Sequence, residues 1–140
     1  MRKVIWCAAV AMIAGSFWLG RLSAAADKPQ MRLFELRTYT ANEGKLDALN
    51  ARFRDHTVKL FEKHGMTNIG YWTPEGERSK DTLVYILAFP DKEARNKAFK
   101  EFGADPEWKK AQTESEANGK LLVKPPESVF MTPTDYSPMK

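Results

Sequence analysis

The side chains able to do chemistry near neutral pH are few and widely spaced in this chain of 140 residues. His56 and His64 are its two imidazoles. Leu46, Leu49, Phe53, His56, Leu60 and His64 recur at spacings of three and four, so a helix over Lys45 to His64 sets His56 on its apolar stripe, facing whatever the helix packs against. One reading of His56 is a core imidazole with a hydrogen-bond partner, which needs no function. The other is a general base or an axial haem ligand beneath a helix layer, since imidazole titrates near neutrality. His64 lies about 12 Å further along the helix, so the pair cannot grip one metal ion.

Glu35, Arg37 and Tyr39 alternate in MRLFELRTYT and therefore share one face of a strand, with Glu35 and Arg37 about 7 Å apart. On a central strand they form an ion pair or hydrogen-bond network that fixes the register between two copies, or Arg37 anchors an acidic ligand as a bidentate donor. The alternation does not say which face is which. Tyr39, Tyr71, Trp72, Tyr85 and Trp108 pack a core or an interface, or two or three of them line a small-molecule pocket with Arg37 or Arg95. Arg95 follows a helix cap, and its simpler reading is a surface pair with a neighbouring acid. Asp105 and Trp108 read as a helix cap and an apolar anchor.

Several chemistries lose their usual support. The single cysteine, Cys7, lies in the N-terminal segment, so zinc and iron-sulfur spacings are missing and no metal site is expected. The chain holds no GxSxG, GxxxxGK[ST], GxGxxG or HExxH motif. Apolar residues make up 43% and charged residues 29%, the balance of one globular domain. The formal charge is +4, but residues 1–26 carry Arg2, Lys3 and Arg21 and no acid. Without them, 19 of the 22 basic side chains face all 18 acidic ones. Nucleic acid is not an expected partner of so neutral a chain.

Residues 1–26 read as a secretory leader, with a basic start, the uncharged run Val4 to Gly20, and small residues at Ser23 to Ala26 that suit cleavage after Ala25 or Ala26. An uncleaved anchor is the rival reading, since the run approaches the roughly 17-residue lower limit of a spanning helix. Cleavage predicts a secreted or periplasmic protein with no membrane segment. The mature chain then lacks cysteine and rests on its core alone.

After a linker at residues 27–30, the domain spans residues 31–140. Strands are expected at Met31 to Thr40, Thr67 to Thr73 and Leu83 to Phe89, the last apolar throughout and covered on both faces. Asp91 caps a helix to Phe102, and Asp105 with Pro106 opens another to Gly119. Leu121 to Val123 and Ser128 to Thr132 supply a broken last strand around Pro125 and Pro126. The order β-α-β-β-α-β is the ferredoxin-like split β-α-β, an α+β fold with strands one and three central and both helices on one face. The other face would be bare. Tyr39, Tyr71 or Trp72, and Tyr85 or Ile86 contribute to it, and a homodimer that stacks two such sheets would bury it.

FELRTYT at 34–40, HGMTNIGYW at 64–72, Ala94 with Arg95, DPEW at 105–108 and SVFMTPTDYSP at 128–138 together resemble the NIPSNAP family. The resemblance implies the dimeric α/β barrel, a superfamily that also holds haem-degrading and antibiotic-biosynthesis monooxygenases. The family has no generally established reaction, and its eukaryotic roles in mitochondria, mitophagy and vesicle traffic do not carry over to a secreted single domain. The expectation is a homodimer that binds a small apolar or aromatic molecule, or a protein partner, through Arg37, Tyr39, His56, Trp72, Tyr85 and Arg95. The alternative is a cofactor-poor monooxygenase or isomerase with His56 as base or haem ligand. A closed cavity reaching His56 would favour chemistry, and a packed interior with external apolar patches would favour binding.

Overall fold

The computed structural model describes residues 32–140. The leader expected at residues 1–26, the linker expected at 27–30 and Met31 lie outside the described residues. The chain runs β1 (Leu33–Thr40), α1 (Leu46–Arg52), a π-helical turn (Phe53–Thr57), α2 (Val58–Lys63), β2 (Thr67–Trp72), a 3₁₀ turn (Gly76–Lys80), β3 (Thr82–Phe89), α3 (Lys92–Ala104), α4 (Pro106–Ser115) and β4 (Glu127–Met131). The four strands form one antiparallel sheet in the order β2-β3-β1-β4, the α+β ferredoxin-like arrangement with β1 and β3 central. The broken last strand is real: an isolated bridge joins Leu122 to Ala41 before β4 pairs with β1.

Local chemistry explains the boundaries. The Asp91 carboxylate accepts from the Ala94 amide and the Asp105 carboxylate from the Glu107 amide, and Pro106 opens α4 where its missing N–H costs nothing. Gly65, at φ 76°, ends α2 in the left-handed region. The last helix stops at Ser115 rather than Gly119, because its amphipathic contact ends with Ala111 and Trp108.

The register sorts side chains cleanly. Glu35, Arg37 and Tyr39 of β1 pair with Leu87, Tyr85 and Leu83 of β3 on the helix side, while Leu36 pairs with Ile86 and Thr38 with Val84 on the outer side. Phe53, Phe61, Tyr85, Phe89 and Phe102 pack together between sheet and helices. Truncation of fully buried Phe61 to Ala is worth about 3–5 kcal/mol. Strand β3 is covered on both faces only in part, since Val84 and Ile86 are only partly buried on the outer side. That outer side is the bare face the topology demands. Of the aromatic residues expected there only Trp72 lies on it, with Phe34 of β1 on the same side; Tyr39, Tyr71 and Tyr85 face the helices instead, because the odd-numbered positions of β1 set the inner register.

Candidate functional site

The π-helical turn decides where His56 goes. Val58 donates its amide to the Phe53 carbonyl, and the Thr57 hydroxyl donates to the Arg52 carbonyl at 3.2 Å, both five residues back. The wider turn delays the stripe by one residue, so Thr57 turns inward and His56 is exposed. The expectation of an imidazole facing the sheet is therefore corrected: an ideal 3.6-residue period does not survive the π turn. His56 sits among surface depressions of about 140 to 250 Å³ whose walls include Asp55, Lys59, Glu107, Lys110 and Glu114. These charged walls do not fit an axial haem ligand, which needs an enclosed, largely apolar slot. Among the described residues no cluster of three or more His, Cys, Asp or Glu side chains is placed to hold a metal ion.

Arg37, Tyr39, Tyr85 and Arg95 do come together, beneath the N-terminal half of α3. Glu35 from β1 is fully buried, and Arg95 grips it with two bonds, Nε to Oε2 at 2.8 Å and Nη2 to Oε1 at 2.7 Å. Arg37 donates to Glu35 at 2.6 Å, to Ser128 Oγ of β4 at 3.1 Å and to the Tyr85 hydroxyl at 2.9 Å, and Tyr85 donates on to Tyr39. Ser128 itself donates to Glu35. Both guanidinium groups lie over the Phe99 ring, Arg95 at 4.3 Å and Arg37 at 4.8 Å. The expected surface pair of Arg95 is thus made with a buried acid by a half-buried guanidinium, and Glu35 with Arg37 ties strands to α3 within one copy rather than fixing register between copies.

The electrostatics follow from this geometry. Burial pushes the Glu35 carboxyl up, but hydrogen bonds from Arg95 and Ser128 and the Arg37 charge outweigh it and hold the group below its ordinary range. Burial likewise opposes the Arg37 charge, and its neighbours Tyr85, Tyr39 and Glu35 more than restore it. Desolvation drives the Tyr85 phenol well up, and Tyr71 rises for the same reason. Glu35 is held as a carboxylate and Tyr71 and Tyr85 as neutral phenols, so none of the three is poised to exchange a proton near neutral pH. The network is a clamp joining β1, β3, β4 and α3.

Trp72 stands apart on the outer face, 50% exposed and folded over Gly70, where an added Cβ would meet its indole at 2.6 Å. Ile86, Leu36 and Val129 follow on the same face across β3, β1 and β4, and the chain after β4 turns back over Phe34 and Ile86. Between that returning segment and the sheet runs a groove of about 280 Å³ lined by Phe34, Ile86, Met131, Pro133 and Met139 among others. Sequence reasoning missed Met131 and Met139 here, and it missed Arg52 in α1. Arg52 falls three residues after Leu49, inside the apolar stripe, which is the signal that marks it. His64 pairs with Asp105 at 2.7 Å and Lys63 with Asp105 at 3.0 Å, so hydrogen bonds from His64 and Lys63 hold the Asp105 carboxyl well below its usual range.

A profile of the NIPSNAP family matches residues 34–138, nearly all of the described chain. The protein belongs to the NIPSNAP family. Among curated proteins no match is found. The fold is similar to that of a NIPSNAP family protein of unknown function from Agrobacterium tumefaciens, with 23% identity, a TM-score of 0.68, and coverage of 80% of this chain and 96% of that one. It is also similar to a monooxygenase from Streptomyces coelicolor solved in complex with nanaomycin D, at 18% identity and a TM-score of 0.54, covering 81% and 97% of the two chains. A cofactor-independent oxygenase from Streptomyces nogalater matches at 16% identity and a TM-score of 0.50, with 76% and 97% covered. These likenesses establish the fold that NIPSNAP proteins share with such oxygenases. Among the described residues no helix is long and apolar enough to cross a membrane.

Proposed function

We propose that this NIPSNAP domain acts outside the cytoplasm as a homodimeric binding module for a small apolar or aromatic molecule, with the two outer sheet faces stacked and the ligand held in the groove beside them. The observation that carries the reading is the outer face itself. Leu36, Ile86, Trp72 and Val129 stand half-buried or exposed beside an apolar groove of about 280 Å³, while the interior on the other side is packed. A second copy stacked there would cover these side chains and close the open side of the groove. The leader-like residues 1–26 support export, and their small residues near Ala25 support cleavage.

The oxygenase reading has less support. A general base must reach a reacting atom in a dry cavity, and His56 faces solvent. The test is native mass spectrometry of the protein purified from the envelope of its own host. A dimer carrying a discrete extra mass that leaves on denaturation is expected. A monomer would overturn the stacked-face reading, and a dimer with nothing bound would remove the ligand from it.

A further inference from the structure

A second depression opens along the edge of the sheet, between β2 and the helical layer of α1, the π turn and α2. Its volume is about 320 Å³, larger than that of the outer groove, with which it shares no wall residue. Phe53 and Leu83, both buried, form its floor with the half-buried ring of Tyr71, which meets Phe53 edge-on at 5.7 Å. Asn50, Arg54 and Val58 supply the helical wall, and Trp72 with Thr73 the opposite rim. Among the described residues β2 pairs with β3 alone, so no fifth strand closes the depression.

The π turn lines up the helical wall. In an unbroken α-helix, residues four apart drift about 40° around the axis at each step, so Asn50, Arg54 and Val58 would fan away from one another. The wider turn over Phe53–Thr57 takes up that drift and sets all three on one groove. Such turns gather at functional positions. Arg54 is exposed and has no ion pair or hydrogen bond among the described residues, and the Asn50 amide and Thr73 hydroxyl are likewise without a partner there. Among the described residues no carboxylate stands in the wall. Glu62, whose charge reaches Tyr71, lies outside it and accepts from Asn68 Nδ2 at 3.2 Å. The depression therefore joins an apolar, ring-lined floor to one uncompensated cation. A simple anion would leave the floor bare, and a neutral ring would leave the guanidinium unused. A molecule with a ring and a carboxylate uses both, and the volume, at the lower end of the about 300–1,000 Å³ of small-molecule sites, suits one or two rings.

We propose that this depression binds a small aromatic carboxylate, its ring on Phe53, Tyr71 and Leu83 and its carboxylate taken by Arg54 with the Asn50 amide beside it. The site is separate from the outer groove and holds whether or not the sheets stack. The test uses the intact isolated protein and follows the Asn50 side-chain amide and the Tyr71 ring by NMR. The titrants are phenylacetate, 2-phenylethanol and acetate, which carry ring and charge, ring alone and charge alone. Phenylacetate is expected to move both signals saturably, with the other two acting about tenfold or more weakly. Arg54→Gln, at an exposed side chain with no partner to lose, should bring phenylacetate down to the affinity of 2-phenylethanol while the unfolding midpoint stays unchanged. Val58→Phe, which fills the space and touches no charge, should abolish the phenylacetate response. Ile86→Asp, on the outer face, should leave it intact. No saturable movement of the Asn50 amide with phenylacetate overturns the proposal. So does 2-phenylethanol acting as strongly as phenylacetate, or a phenylacetate response that survives Arg54→Gln or is lost only with Ile86→Asp.

Discussion

On the helix side of the sheet, Glu35, Arg37, Tyr39, Tyr71 and Tyr85 lie in the interior, while on the outer side Leu36, Ile86, Trp72 and Val129 are half-buried or exposed. Polarity alone would have sorted them the other way. The inner polar groups are tolerated because each finds partners: one carboxylate is shared by two guanidinium groups and a hydroxyl, Tyr85 donates to Tyr39, and Tyr71 donates to Asn68. The outer apolar groups have no such compensation within one copy. The difference teaches that satisfied polarity is a structural device here, and that unsatisfied apolar surface is where function is to be sought.

The comparison breaks most sharply at Glu35. Glu35→Gln leaves two buried guanidinium groups facing a neutral amide, and a loss of about 3–5 kcal/mol is expected, read as a lower midpoint in urea with an unchanged slope. Acid should imitate it. Because the native carboxyl is held below its ordinary value, its stabilisation is complete above the unfolded-state value of about 4.3 and is lost as pH falls through the lower native one. Thermal scans of the parent should therefore fall steeply below about pH 4, and scans of Glu35→Gln less so. An equally steep fall in both would place the acid sensitivity elsewhere, for instance at Asp105.

On the outer face the largest effect should be on association, not folding. Ile86→Asp removes about 2–3 kcal/mol of apolar burial from a stacked interface, on the order of a hundredfold in the dissociation constant. Val129→Asp, at a side chain already 55% exposed in one copy, should weaken the proposed dimer without lowering the unfolding midpoint of the monomer. Sedimentation across a concentration series measures both. Unchanged association in both variants would remove this face from the interface.

The fold was legible because its signals are periodic: alternation marked β1, the caps at Asp91 and Asp105 marked α3 and α4, and the order of elements fixed the sheet. The inner network was only half legible. Alternation put Glu35 and Arg37 on one face, but that the face is the inner one depends on which side the helices cover, a tertiary fact. The pairing of Arg95 with Glu35 spans 60 residues, and no local pattern encodes it. His56 went astray for a different reason. Periodicity assumes an unbroken α-helix, and FRDHT carries no Pro or Gly to announce a π turn.

That error is itself testable, through a pair of neighbours with opposite environments. Thr57 is buried, and its hydroxyl serves the Arg52 carbonyl, so Thr57→Val should cost about 1 kcal/mol. His56 is exposed and makes no hydrogen bond among the described residues, so His56→Ala should shift stability by no more than about 0.5 kcal/mol. A core histidine with a partner would instead cost about 1–3 kcal/mol. The ordering of the two losses is therefore the quantity to measure, by urea denaturation of both variants against the parent. A larger loss at His56 than at Thr57 would mean that the helix runs without the π turn in solution. It would return His56 to the stripe and move Arg54 out of line with Asn50 and Val58.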